Sequence, residues 1–421
     1  MTWLTLLAGT ILVWLIWNLS SLCRNYISAR KVQAPTFIIP WNIYNPIWMI
    51  LSVPLAPYLQ RYLPTAWYRT INMGIYGFEF RSKENVFGDD KDNDVVVLVT
   101  SGPVEMSIRD PELATEILKR MKDFPTTEIA GVILNVFGPN VLTSNGEDWS
   151  RQRKLIAPNL NEKISKLVFG ESTSQARQML SSYVDDFQGV TDDTMRGMKA
   201  IALNVLGTVG FGISRPWKKG KDEKPEEGFK LTYMDVVWTL VENIVEAAIM
   251  PTKLLTSPLF SPPWHAIGHA KVEFPIHTRR MLERERTRQN TSSETSSNLM
   301  SMIVRLVDET ASGGGNDTND TVDEKNVKKK SLSMSEEEIL GNLFVFTAAG
   351  FDTTANTMAY ALALLSTYPE WQDWLYEEIS AVLSDKDMDS LDYNEIFPKL
   401  PRCLSLMTNQ APGRDGNDAG R

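Results

Sequence analysis

Two long apolar runs frame this chain of 421 residues, one at its start and one beyond residue 338. The first 23 residues carry no charged side chain, and Thr2 to Leu22 has the length of a single membrane span. The second run, Ile339 to Leu365, carries one charge, Asp352. Between them the patterns are shorter. Val95 to Thr100 is a β-branched strand, Gly102-Pro103 turns it, and Val104 to Ile108 is its partner. Asp110 then caps a helix with Pro111 at its first position. Leu113, Ile117 and Leu118 give that helix one apolar face, and Phe124-Pro125 ends it. Helical periodicity dominates from about 160 to 250, and Pro262-Pro263 opens a further helix through about Arg288. Ser312 to Ser331 has no apolar periodicity and reads as a mobile surface loop. The expected fold is mainly α with a small N-terminal β-sheet.

The second run predicts one long helix. Ser335 is its N-cap, and Glu338 completes a capping box. Pro369 stops it, because Tyr368 before a proline is pushed out of helical geometry. Such a helix is roughly 48 Å long. Being apolar nearly all round, it is expected to be buried rather than to lie on a surface. Two choices inside it are locally unfavourable. Gly350 costs about 1 kcal/mol against Ala in mid-helix, and a buried Asp352 is costly unless paired. Their closeness marks a candidate site. A second membrane span is the rival reading, opposed by Asn342, Asn356 and threonines at 347, 353, 354 and 357.

Composition narrows the function. The net charge of -9 and the lack of a basic stripe with interleaved aromatics argue against nucleic acid. Two cysteines, Cys23 and Cys403, imply no disulfide framework. Arg24, Arg30 and Lys31 directly after the first run place the body in the cytosol, with an uncleaved single-pass anchor in the endoplasmic reticulum membrane. The sequons at Asn290, Asn316 and Asn319 are then accidental. Prolines at 35, 40, 46, 54, 57 and 64 read as a stiff spacer with aromatic patches at Trp41, Tyr44 and Trp48, resting on the membrane or the body or forming an ordinary irregular loop. The expected divisions are an anchor over 1–23, a proline-rich spacer over 24–66, a main domain over 67–407 and a polar tail over 408–421.

Candidate chemistry is sparse. Trp149 and Arg153 lie four apart on a helix that starts after Asn145-Gly146, so an indole N–H and a guanidinium share a face suited to carboxylates. A solvated basic turn with a packed Trp is the rival reading. His265 and His269 are also four apart, but no HExxH is present and no metal site is assigned to them. Gly207, Gly210 and Gly212 lack the spacing and preceding strand of a dinucleotide loop and suit close helix packing. There is neither a GxSxG elbow nor a Walker loop.

Together these residues resemble a known family. The stretch Asn145-Gly-Glu-Asp-Trp149-Ser-Arg-Gln-Arg153-Lys-Leu-Ile-Ala-Pro158 resembles the C-helix motif of cytochrome P450, the haem-thiolate monooxygenases. Ala349-Gly350-Phe-Asp352-Thr353-Thr354 resembles that family's oxygen-activation motif in its long central helix. The strand pair and the Asp110-Pro111 helix follow the family's order, and the anchor with its proline-rich follower is similar to microsomal, and in its loops fungal, members. The resemblance implies a cytochrome P450-like fold. It implies that Trp149 and Arg153 bind haem propionate, that Ala349 and Gly350 leave room for dioxygen and substrate, and that Asp352 and Thr353 relay protons. It further implies a lipophilic small-molecule substrate of secondary metabolism and electrons from NADPH through a cytochrome reductase.

The resemblance stops near Met407. The family's ExxR helix and its Phe-x-x-Gly-x-Arg-x-Cys loop are not found, and Thr408 to Arg421 has no hydrophobic face. Neither Cys23, in the apolar run, nor Cys403, read as a small buried apolar residue, matches the ligand position. The expectation is therefore a partial P450 domain with its C-terminal part missing and without activity as it stands. The alternative is a non-enzymatic, membrane-anchored pseudo-enzyme or fragment.

Overall fold

The computed structural model describes residues 2–78, 87, 94–187, 191, 193–217, 224–258, 261–291, 298, 300–301, 334–384, 386 and 391–407. The loop expected over 312–331 and the tail over 408–421 lie outside the described residues. The chain divides into two units, Met1–Ile133 and Leu134–Arg421.

The first unit is built on a small sheet. In chain order it holds α1 (Thr2–Ala29), β1 (Thr36–Ile38), α2 (Pro46–Tyr62), α3 (Thr65–Asn72), β2 (Val95–Val99), β3 (Val104–Ile108) and α4 (Pro111–Lys119). The β2–β3 pair is antiparallel with Val97 opposite Met106, as the turn chemistry predicts. Thr36–Ile38 adds a parallel third strand in a stretch read as spacer. Period-two alternation splits the β2 side chains. Val97 and Val99 pack under Ala29 and Leu22 of α1, while Leu98 packs on the other side with Ile39, Ile43, Trp41, Tyr44 and Trp48. These three aromatics thus rest on the body. Asp110 caps α4 through the backbone N–H groups of Glu112 and Leu113. Residues 46–62 are helical despite Pro54 and Pro57, where the sequence suggested a stiff spacer.

Helix α5 (Glu128–Leu134) ends at the unit boundary, and the second unit is helical. It holds α6 (Gly146–Ile156), α7 (Glu162–Phe187), α8 (Thr194–Phe211), α9 (Tyr233–Glu242), α10 (Ile244–Ile249), α11 (Thr252–Leu255), α12 (Pro262–Thr291), α13 (Glu336–Thr367), α14 (Pro369–Leu383), α15 (Tyr393–Ile396) and α16 (Pro401–Met407). Its core gathers on α13. Phe344 meets Phe137 and Phe274 at ring separations of 5.0 and 5.4 Å, and Leu343, Phe344 and Phe351 are fully buried. Gly212 ends α8 in the left-handed region at φ 69°, so its role is a helix stop rather than helix packing.

The histidines serve structure. The segment 226–232, which leads into α9, lies along one stripe of α12. Glu226 pairs with Arg280 and Arg284, and the Glu273 carboxylate accepts from the backbone N–H groups of Lys230 and Leu231. His277 stacks on Phe229 at 3.7 Å and donates from Nε2 to the Leu231 carbonyl. His269 faces Lys230 at 3.2 Å, and His265 meets the carbonyl of Ser257.

Candidate functional site

Helix α13 begins and ends where its local chemistry requires. The capping box is complete, with Ser335 Oγ accepting from the Glu338 N–H and the Glu338 carboxylate accepting from the Ser335 N–H. The same carboxylate reaches across to α6. Arg151 forks onto it at 2.5 and 3.0 Å, and Gln152 Nε2 adds a third bond at 3.2 Å. Burial pushes the Glu338 carboxyl up, but Arg151 and the Ser335 N–H outweigh that and hold it below the usual carboxylate range. The reciprocal effect of Glu338 raises the Arg151 guanidinium. One turn on, Asn342 donates to Gln152 Oε1 and accepts from the Val141 N–H. Gln152 and Asn342 are fully buried and their polar atoms are matched.

Two glycines allow this close approach. A Cβ on Gly341 would overlap the backbone carbonyl oxygens of Gly138 and Pro139, and Gly138 sits at φ 141° against the Glu337 backbone. The 138–141 segment therefore lies directly on α13, where no larger residue fits.

This lock decides where the predicted grip points. On α6, Arg151 and Leu155 form the docked face, and Trp149 and Arg153 lie on the opposite one by the period of 3.6. Arg153 is exposed, and its guanidinium lies over the Trp149 ring at 5.4 Å. Among the described residues no carboxylate pairs with Arg153. Along α13, Ala349 comes three turns after Glu338, a direction roughly 20° away on the helix wheel and about 16 Å further along. The flank that docks α6 thus continues into Ala349 and Thr353.

Beyond Thr347 that flank is open, and the expectation of an all-round buried helix is corrected here. Ala349, Thr353, Thr354 and Thr357 are exposed, as is Tyr360. Phe351, Ala355 and Ala359 on the other side are buried. An apolar pattern reports what a face can bury, not whether a partner covers it. Thr353 Oγ1 donates to the Ala349 carbonyl at 2.6 Å, so its proton is directed back into the helix. Gly350 faces Leu206 of α8, where a Cβ would make only ordinary contact.

Asp352 turns away from this flank. Its carboxylate accepts from Asn356 Nδ2 at 2.9 Å and lies 3.6 Å from Lys199 Nζ, with about a third of the side chain exposed. Lys199 is nearly buried on α8, 3.1 Å from Glu242 and 4.4 Å above the Trp238 ring. The pairing that a carboxylate here requires is therefore met. Sequence reasoning missed Lys199, Arg151, Gln152 and Asn342, because long-range charge pairing leaves no periodic signal. Glu338 was legible as a cap and not as an ion-pair partner.

Cys23 belongs to α1 in the first unit. Cys403 is half-buried rather than buried, on α16, where Glu378 accepts from the backbone N–H groups of Arg402 and Cys403. Burial and the neighbouring Glu378 push the Cys403 thiol up, away from thiolate. Arg153 and Trp149 present a guanidinium–indole face chemically suited to a carboxylate such as a haem propionate, while burial and Glu378 hold the Cys403 thiol away from the thiolate form.

The sequence profile of the Cytochrome P450 family matches residues 90–401. The chain is 30% identical over 398 residues to the phomenoic acid biosynthesis cluster cytochrome P450 monooxygenase of Leptosphaeria maculans, covering 90% of this chain and 65% of the relative. It is 24% identical to cytochrome P450 monooxygenase prx9 of Penicillium rubens, over 94% of this chain and 68% of that one. Among solved structures, the cytochrome P450 CYP102L1 aligns with TM-score 0.56 at 14% identity, over 75% of this chain and 65% of that chain. A zebra fish cytochrome P450 aligns with TM-score 0.50 at 14% identity over the same shares. The chain thus spans about two thirds of the length of the relatives it matches.

Proposed function

This chain belongs to the cytochrome P450 family, and from that premise we propose that its second unit carries part of a monooxygenase site for O2-dependent oxidation of a lipophilic small molecule in fungal secondary metabolism. The observation that carries the proposal is the Arg153 guanidinium, which pairs with no carboxylate among the described residues and stacks on Trp149, on α6, which docks on the same flank of α13 that carries Ala349 and Thr353. Haem, when bound, supplies the redox centre for oxygen insertion. Arg153 and Trp149 hold its propionates by charge-assisted hydrogen bonds. Ala349 keeps side-chain volume away from the space beside it, and Gly350, proposed for the same role, packs on its α8 side against Leu206. Thr353 would pass a proton by turning its hydroxyl out from the Ala349 carbonyl, and Asp352, the proposed second group of the relay, would first have to swing from Lys199 and Asn356 toward that flank.

The wider assignment belongs to the same proposal. Residues 67–407 are a partial P450 domain, behind a single-pass anchor over 1–23 in the endoplasmic reticulum membrane, with the body cytosolic. NADPH supplies electrons through a reductase partner. Because neither cysteine suits the axial position, a chain of these 421 residues is proposed to be inactive. The placement of Cys23 and Cys403 favours a second reading, a non-enzymatic membrane-anchored pseudo-enzyme.

Haem titration followed by absorbance tests the grip. Arg153→Ala is expected to weaken binding by roughly tenfold or more, the loss of one charge-assisted hydrogen bond at about 1.5–3 kcal/mol. Equal affinity in both proteins overturns the grip.

A further inference from the structure

The segment from Glu226 to Thr232 is held to α12 by side chains that carry a charge or can gain one. His269, Glu273 and His277 recur every four residues and share one face of α12. The buried Glu273 carboxylate accepts from the Lys230 and Leu231 N–H groups, each at 3.0 Å. His269 Nε2 lies 3.2 Å from Lys230 Nζ and can accept from that ammonium only as a neutral ring. His277 Nε2 donates to the Leu231 carbonyl at 3.2 Å, and its ring stacks on Phe229 at 3.7 Å. We infer that this segment is an acid-released strap: it is closed on α12 while His269 and His277 are neutral and lifts when they gain protons, with the helical core of the second unit still folded.

Each proton acts against the closed strap. On His269 it removes the acceptor of Lys230 and leaves two cations 3.2 Å apart. His265, one turn earlier on α12, can add a further positive charge, and Glu273, one turn later, opposes it. On His277 the bond to Leu231 survives, because Nε2 still donates, but the proton puts a cation on a buried ring. The Arg280 guanidinium lies over the same Phe229 ring at 4.5 Å, so two cations would then share one phenyl group. Glu273 and Glu226 face His277 and offset part of that charge, and Glu226 is itself held by Arg280 and Arg284. From α9, the Tyr233 ring stands 6.0 Å away, with a phenol that burial keeps from ionising.

The direction of the effect follows. Burial, and after it Lys230, lowers the His269 pKa. Burial also lowers that of His277, against the Leu231 bond and the nearby carboxylates. Histidines depressed in this way hold the strap fully closed above their usual value of about 6.5 and release it as pH falls through their folded values. Ordinary carboxylates stay mostly ionised down to about pH 5, which leaves the histidines to act first.

The strap can open without the core because it adds little to it. Glu226, Glu227, Gly228 and Lys230 are exposed and Phe229 is half-buried, whereas Phe274 and Phe344 beneath are fully buried. A segment with few buried apolar contacts opens at low free energy. The strap runs straight into α9. Thr232 Oγ1 caps that helix by accepting from the Asp235 N–H, and Tyr233 Oη lies 3.3 Å from Thr347 Oγ1 on α13. Release therefore frees the entry to α9 where it touches the helix that carries the candidate site.

The test is amide hydrogen exchange of the full 421-residue chain in detergent, at about pH 7 and about pH 5, corrected for the intrinsic pH dependence. Protection of the Lys230 and Leu231 amides is expected to fall by roughly tenfold or more, the effect of about one pKa unit. The amides of Leu343 and Phe344 on α13 are expected to keep theirs. The double variant His269→Gln with His277→Gln, which bonds without titrating, is expected to lose most of the fall. Lys230→Met, at an exposed position, removes one of the two facing cations and is expected to reduce it. Unchanged protection of the strap overturns the inference. An equal fall on α13 overturns it too, since the core then opens with the strap. A full fall in the double variant gives the effect to the carboxylates and overturns the role of the histidines. Should that variant not fold, an undiminished fall in Lys230→Met overturns it instead.

Discussion

The two halves of α13 share one helix and one apolar composition, yet they are built differently. From Glu338 to Thr347 every side meets a partner. Glu338 and Asn342 are bonded across to α6 and the 138–141 segment, Gly341 touches backbone, and Leu343, Phe344 and Val345 fill the core. From Ala349 to Tyr360 one side packs on α8 while the other is open. The first half fixes the fold, and the second leaves exposed Ala349 and Thr353, which are proposed for chemistry. The same contrast recurs on α6, where Arg151 and Gln152 are locked while Arg153 is exposed over a half-buried Trp149.

Mutations can break that contrast. The largest effect is expected from Arg151→Met. It strands the nearly buried Glu338 carboxylate and is expected to cost about 3–5 kcal/mol, read as a lower midpoint in urea. An unchanged midpoint would mean that the lock is not what holds α6. Gly341→Ala comes next, at about 1–3 kcal/mol from forced overpacking against backbone. On the open half, Tyr360→Ser and Thr357→Ala are expected to change stability by no more than about 0.5 kcal/mol. A loss at Tyr360 as large as that at Gly341 would erase the distinction between the halves.

Acid sharpens the contrast further. Burial lowers the His277 pKa, so the folded chain holds the neutral ring against Phe229 and Leu231, facing Glu273, Glu226 and Arg280. A depressed histidine contributes stability that is complete above its usual value of about 6.5 and is lost as pH falls through the folded value. Glu338 is depressed from the carboxylate range and contributes in the same sense, at lower pH. Stability should thus fall in two stages on acidification. His277→Gln should flatten the first stage alone, which a series of thermal midpoints between neutral and acid pH would register. The smallest effect is expected at Lys199→Met, which loosens Asp352 but leaves it about a third exposed and still bonded to Asn356.

Much of this architecture was legible because its signals are local. The capping box at Ser335 and Glu338, the stop before Pro369, the strand pair and the Asp110 cap are set by neighbours a few residues apart. What could not be read depends on partners far along the chain. Thr36–Ile38 becomes a strand only because Val97–Val99 lies beside it. Residues 46–62 are helical because tertiary packing of Met49, Ser52 and Ala56 outweighs two prolines. Arg151 and Arg153 look alike in sequence, yet they lie half a helical turn apart, and one faces structure while the other faces solvent. Asp352 and Gly350 are both local oddities in the sequence, and the structure resolves them differently. Asp352 is paired with Lys199, while Gly350 is packed against Leu206 without needing to be glycine for space.

The central proposal is that Arg153 and Trp149 grip a haem by its carboxylates while neither Cys23 nor Cys403 supplies a thiolate to its iron. The direct measurement is the carbon monoxide difference spectrum of the reduced, haem-reconstituted 421-residue chain. Bound haem without a thiolate-type Soret band is expected, with the bound fraction reduced in Arg153→Ala. A thiolate-type band would contradict it, and Cys403→Ser would then show whether that thiol is the ligand.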